Sequence, residues 1–258
     1  MTDGTVHYSR EGQIARITFS RPEARNAMTW SMYQRFGEIM DEVAADDDLR
    51  VIVLRGDGAK AFIAGTDISQ FQEFQSAAEG VAYEQFIESL IGRLESLSIP
   101  TVAVVQGYAV GGGLAIAAAC DIRLCTPDAR FGAPIARTVG NCLSIQNYAR
   151  LAALIGVSRA KAMLFTASMI GAADALQAGF VMEVVDAAEL DQRVDDLCDT
   201  LARHAPLTLR VTKEAFRRIV HGHGADGADL IQMAYESRDF REGVAAFMEK
   251  RSPEWQGR

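Results

Sequence analysis

The sequence predicts an α/β fold followed by a helical C-terminal unit, on three observations. Short apolar runs of strand character alternate with amphipathic helical stretches as far as about residue 190. Glycine-rich turns punctuate this alternation, most densely in "GYAVGGG" at 107–113. After Asp186 no further strand is apparent, and three helical stretches follow. The expected division is an α/β core over residues 1–190 and a helical unit over 191–258.

Taken in order, "VHYSREGQIARITFSRP" reads as a β-hairpin. Gly12 sits in the turn, and Ala15, Ile17 and Phe19 alternate onto one face. Thr29 is a candidate N-cap for a helix that carries Met32, Phe36, Ile39, Met40 and Val43 along one stripe. "RVIVLRG" is a short buried strand, and the loop "DGAKAFIAGTDIS" leads from it into helix as far as Leu97. Pro100 opens the strand "TVAVVQG"; the glycine triplet then starts a small-residue helix, followed by the strand "DIRLCT" and the turn "DARFGAPI". Residues 144–178 are mostly helical, and "FVMEVVD" is a further strand. Pro206 and "HGHGADG" separate the last three helices.

Composition bounds the function. The 258 residues, 49% hydrophobic and 23% charged, are ordinary for a globular chain with a large core. A formal net charge of -8 argues against nucleic acid as a partner, because phosphate contacts need a basic face. "MTDGTVHYSREGQ" lacks the apolar stretch of an export signal, and "AVGGGLAIAAAC" is too short and glycine-rich to span a bilayer. Cys120, Cys125, Cys142 and Cys198 lack metal-type spacing, and His7, His204, His221 and His223 are scattered. These features point to a reduced, cytoplasmic protein without a metal site or membrane partner.

Four separated stretches carry a family resemblance: "RPEARNAM" at 21–28, "KAFIAGTDI" at 60–68, "GYAVGGG" with "ACDIRL" within 107–124, and "AFMEKRSPEWQG" at the end. Together they resemble the crotonase superfamily, the enoyl-CoA hydratase/isomerase fold, and the resemblance runs in order along essentially the whole chain. It implies a spiral core of ββα units and a C-terminal helical trimerisation unit. It also implies an acyl-CoA substrate with no tightly bound cofactor, and a homotrimer or dimer of trimers.

The glycine triplet has a physical use in such chemistry. A thioester carbonyl gains negative charge when its α-carbon is deprotonated, and two backbone N–H groups, one at a helix N-terminus, can hold that charge. By resemblance these donors are the amides of Thr66 and Gly112. The resemblance further assigns Ala64, Gly65, Thr66, Asp67 and Ile68 to the adenine and pantetheine arm of CoA. Arg25 and Lys250 become candidates for its phosphates; solvated surface charge is the plainer alternative. Asp67 is either catalytic or, as Asp in such a turn often is, a brace for nearby amides.

Hydratases of this family carry one glutamate two residues after the glycine triplet and another in "FGxPE". Here those positions hold Ala115 and Ile135, and neither can move a proton. The following "ARTVGNCLSIQNYARL" also departs from the hydratase pattern and supplies other candidates near the acyl group. Asn141 and Ser144 can orient a water, or Ser144 can cap the next helix. Cys142 is a nucleophile only with a depressed pKa, and otherwise a small packing residue. Arg137 can hold a carboxylate or pair with a surface acid. On the helix "AYEQFIESLIGRL", Tyr83, Glu84 and Glu88 can reach the pocket, but an apolar stripe of Phe86, Leu90 and Leu94 would turn the two glutamates partly outward. Phe86 and Tyr108 complete the candidate pocket, Tyr108 as packing. Isomerisation, decarboxylation or hydrolysis therefore fits better than plain hydration; a binding protein with little turnover, or a hydratase with acids elsewhere, are the alternatives.

Overall fold

The computed structural model describes residues 3–73, 76–222 and 227–258. Strands β1 (Thr5–Glu11) and β2 (Ile14–Ser20) form the hairpin, with Thr5 opposite Ser20 and Glu11 opposite Ile14. Ala15, Ile17 and Phe19 all point into the core, as their period of two requires. Helix α1 (Trp30–Ala44) is capped by Thr29, whose Oγ1 accepts the Met32 N–H at 3.3 Å, and it buries Met32, Phe36, Ile39, Met40 and Val43.

From here the chain winds as a spiral. Strand β3 (Val51–Gly56) is followed by β4 (Ala61–Ile63) and helix α2 (Ala77–Ser96). Strand β5 (Thr101–Val105) is followed by β6 (Tyr108–Val110) and helix α3 (Gly112–Ala119). Strand β7 (Ile122–Cys125), β8 (Arg130–Gly132) and helices α4 (Ile145–Ile155) and α5 (Val157–Phe165) make the third turn. Strand β9 (Ile170–Gly171), helix α6 (Ala172–Gln177) and strand β10 (Glu183–Val184) close it. The first strand of each turn joins a six-stranded sheet of order β1-β2-β3-β5-β7-β10, and the second joins a four-stranded sheet of order β4-β6-β8-β9. Pairing is parallel except at β1/β2 and β8/β9. Of "FVMEVVD", only Glu183 and Val184 pair, with Leu124 and Cys125.

The main core lies between the two sheets, α1, α2 and α3, with Phe19 packed against Phe36 and Phe62 at centroid distances of 5.4 and 5.9 Å. On the opposite face of the large sheet, Val51, Val53, Val102, Val104 and Leu124 are covered by helix α7 (Leu190–Ala202) through Leu190, Val194, Leu197 and Leu201. Helix α7 thus seals the α/β core, although the sequence groups it with the C-terminal unit. The chain ends in helices α8 (Pro206–His221), α9 (Ala228–Tyr235) and α10 (Arg238–Glu249). No described helix is long and apolar enough to cross a membrane.

Candidate active site

The loop after β4 and the start of α3 are locked together by backbone geometry. Met28 N–H donates to Gly65 O (2.8 Å) and Asp67 N–H to Met28 O (2.9 Å), so residues 65 and 67 bond the segment at Met28. The intervening Thr66 amide faces the other way, as alternation along an extended chain demands. Gly112 is the first residue of α3, and its N–H has no acceptor within the helix. Thr66 and Gly112 line one cavity of about 270 Å³, together with Ala115 and Ile135.

The adjacent glycines 112 and 113 are required for different reasons. A Cβ on Gly113 would lie 2.1 Å from the carbonyl oxygen of Ile63, so α3 packs on β4 only through glycine. A Cβ on Gly112 would lie 2.7 Å from the Tyr33 hydroxyl and 3.5 Å from Thr66 Oγ1. It therefore points at side chains behind the amides.

Those side chains form a hydroxyl cluster. Thr66 Oγ1 is 2.8 Å from both the Tyr33 and the Tyr83 hydroxyls, and the two tyrosines also hydrogen-bond each other. Burial raises the pKa of Tyr33 far above the usual tyrosine value and pushes Tyr83 up to about 12, so both stay protonated. Tyr83 is also packed edge-on against Trp30 (5.6 Å) and Phe71 (4.8 Å). The sequence marked Thr66 for its amide and for the CoA arm, not for its hydroxyl. Tyr33, on the core side of an ordinary amphipathic helix, gave no sign of a role.

Glu84 lines the same cavity and is its one carboxyl group among the described residues. Burial raises its pKa, the neighbouring Glu88 charge raises it further, and a hydrogen bond from the Ser144 N–H lowers it. Glu88 is committed elsewhere: it accepts Ser144 Oγ at 2.6 Å and Arg150 Nη2 at 2.6 Å. Arg150, buried, also bonds Glu95 at 2.8 Å, and Glu95 in turn meets His221 Nε2 at 2.8 Å. Two carboxylates four residues apart on one helix thus have different environments, one in an ion network and one at a cavity.

The remaining candidates divide. Ala64, Gly65 and Ile68 line the cavity, as does Asn141. Ser144 caps α4, accepting the Asn147 N–H at 3.1 Å, while its own N–H and hydroxyl position Glu84 and Glu88. Asp67 is a brace: its carboxylate accepts Ser69 N–H, Ser69 Oγ and Arg21 Nη1 (2.7 Å), which hold its pKa below the usual range. Cys142 is exposed and lines a second, outer cavity. Three residues assigned to the pocket do not line the inner cavity. Phe86 packs against Trp30 (6.0 Å) and Tyr33 (6.4 Å); Tyr108 lies under the Arg25 guanidinium at 5.4 Å; Arg137 is exposed in the turn after Ile135. Arg25 is exposed, and Lys250 is the left-handed C-cap of α10, also exposed. Asp121 and Asp128 are bound to Thr101 with Lys213, and to Thr126, away from the cavity. His223 lies outside the described residues.

Residues 9–258 match the family model for enoyl-CoA hydratase/isomerase. The chain belongs to this family. It is 32% identical to a short-chain-enoyl-CoA hydratase of Clostridium acetobutylicum, over 96% of each chain. It is also 32% identical to an (E)-benzylidenesuccinyl-CoA hydratase of Thauera aromatica, over 95% of this chain and 96% of that one. A crystal structure of an enoyl-CoA hydratase/carnithine racemase from Magnetospirillum magneticum superposes with a TM-score of 0.91 at 30% identity, covering 98% of this chain and 96% of that one. The fold is the crotonase fold, and the protein is an enzyme of the hydratase/isomerase family acting on acyl-CoA thioesters.

Proposed function

We propose that the protein isomerises the double bond of an enoyl-CoA, with the Thr66 and Gly112 amides holding the enolate oxygen and Glu84 carrying the proton. One observation bears most of the weight: the inner cavity holds a single, half-buried carboxyl group among the described residues, and Ala115 and Ile135, which the resemblance sets where hydratases carry acids, line it without one. Moving a double bond needs one base that takes a proton from the α-carbon of a 3-enoyl thioester and returns it to the γ-carbon. No water is consumed, and the electron pair rests on the thioester oxygen in between. Each backbone donor to such an oxyanion contributes about 3–4 kcal/mol.

Decarboxylation releases neutral CO₂ and leaves its electron pair on the α-carbon, so it draws on the same two amides but gives the Glu84 carboxylate no proton to remove. Hydrolysis through Cys142 needs an adjacent base, and among the described residues lining the outer cavity there is no histidine. Hydration is the second reading, because the named relatives are hydratases. It would require Glu84 to serve as both base and acid.

The test compares a 3-enoyl-CoA with crotonyl-CoA for the wild type and Glu84→Gln. Wild-type isomerisation should exceed hydration, and Glu84→Gln should lower it about 10²–10⁴-fold. Because the base must be ionised, activity should fall on the acid side at a pH above the ordinary glutamate value of 4.5, following the raised pKa. Above the unfolded pKa the buried charge costs stability, so Glu84→Gln should fold at least as stably as the wild type at pH 7. Hydration faster than isomerisation would overturn the assignment in favour of the second reading.

A further inference from the structure

Tyr33 stands behind the paired amides without reaching the cavity they face. It is 1% exposed on α1, whereas Thr66 and Tyr83 line the inner cavity. Its ring packs against Trp30 (centroids 6.3 Å) and Phe86 (6.4 Å), which fixes where the hydroxyl points. That hydroxyl lies 2.8 Å from Thr66 Oγ1, and 2.7 Å from the place where a Cβ on Gly112 would stand. It therefore meets both residues whose amides are read as the oxyanion donors. Thr66 is gripped twice by one short stretch of chain: its neighbours' backbone groups bond Met28, and its side chain bonds Tyr33 on the helix that follows.

We propose that Tyr33 is a positioning residue for the reaction: its hydroxyl sets the spacing and direction of the Thr66 and Gly112 amides without itself meeting the substrate. The proposal rests on reading those amides as the oxyanion donors. Counting protons supports it. Tyr33, Thr66 and Tyr83 bring one hydroxyl proton each, burial keeps both phenols protonated, and the three groups make three mutual hydrogen bonds. A closed ring in which each hydroxyl donates once and accepts once uses all three protons. The ring is thus complete with the cavity empty, and it holds Thr66 in place before a thioester arrives. Donors aimed in advance stabilise a developing negative charge better than donors that must turn to meet it. Without the Tyr33 hydroxyl the loop after β4 keeps its bonds to Met28 but loses the tie that fixes Thr66 against Gly112.

The probe is butanoyl-CoA carrying ¹³C at the thioester carbonyl, a saturated ester that cannot isomerise, read by isotope-edited infrared spectroscopy. Hydrogen bonds to a carbonyl oxygen weaken the C=O bond, so the wild type should move the bound band to lower frequency than in free butanoyl-CoA. Tyr33→Phe should lose part of that shift. Thr66→Val, which opens the ring from its other side, should lose part of it too, and Thr66→Ser, which keeps the hydroxyl, should retain it. A residue with only a packing role would lower the thermal midpoint and leave the band in place. With a 3-enoyl-CoA, Tyr33→Phe should lower kcat about tenfold at nearly constant KM, as the loss of about one hydrogen bond's worth of transition-state stabilisation requires. A band at the wild-type frequency or lower in Tyr33→Phe, or in Thr66→Val should Tyr33→Phe not fold, would overturn the proposal while leaving the two amides as donors. Absence of any shift in the wild type would remove the oxyanion reading itself, and this proposal with it.

Discussion

Thr66 is held at both ends of its chemistry: its neighbours' backbone groups are bonded to Met28, and its side chain sits between two tyrosine hydroxyls. Position 112 is coupled to the same cluster, because a methyl group there meets Tyr33 before anything else. This separates the consequences of two adjacent substitutions. Gly112→Ala should displace the Tyr33 hydroxyl by a small rotation and disturb the amide pair, lowering kcat at least tenfold with modest loss of stability. Gly113→Ala drives a methyl into backbone of β4, which cannot rotate away, and should cost about 1–3 kcal/mol or more of stability. Urea unfolding and turnover measured on both variants check the contrast; equal stabilities would mean that α3 can move off β4. Glycine richness alone could not reveal it, since three consecutive glycines look alike until the neighbours are known.

Helix α2 brings Tyr83, Glu84 and Glu88 to the site, and its orientation is the element-scale question on which the carboxylates depend. Its N-terminus is fixed by a capping box between Ser76 and Glu79. The buried stripe is Ile87, Leu90, Ile91 and Leu94, whereas the sequence suggested Phe86, Leu90 and Leu94. Both stripes have helical spacing and share Leu90 and Leu94, and their centres differ by a rotation of roughly 50°, about half a residue. The sequence could not choose because Phe86 finds an aromatic neighbour, Trp30, on a different helix. The rotation turns Glu84 and Glu88 further inward than the apolar stripe read from the sequence would place them. By contrast, strand alternation at Ala15, Ile17 and Phe19, the Thr29 cap and the glycine turn were legible because they are local. Helix α2 is joined to α4 by Arg150, which bonds Glu88 and Glu95 while only 3% exposed. Removing one partner from a buried network leaves the others uncompensated. Arg150→Ala should therefore cost about 3–5 kcal/mol in chemical denaturation. Arg150→Lys should recover little, since one ammonium cannot match the guanidinium's several directed bonds. A loss below about 1 kcal/mol for Arg150→Ala would show that the network does not hold the two helices together.

At the scale of the whole molecule, the C-terminal helices expose large apolar side chains that a free surface does not need: Phe216, Ile219, Ile231, Tyr235, Phe247 and Met248 are each more than 60% exposed. Leu230 on α9 is by contrast buried at 5%, while Met233 and Phe240 also reach the surface. Isolated exposed apolar residues are ordinary, but several on three consecutive helices make a patch that water penalises. Burying each such side chain against a neighbour would contribute about 1.5–3 kcal/mol, enough in sum to offset the entropy of association. We therefore propose that copies of this chain associate through these helices, as a trimer or a pair of stacked trimers. Sedimentation at micromolar concentration should show no dominant monomer. Phe247→Glu, at a site 81% exposed, places charge on the patch without disturbing the core and should shift the distribution toward monomer. A wild-type monomer at that concentration would overturn the proposal, and so would a Phe247→Glu variant that assembles as well as the wild type.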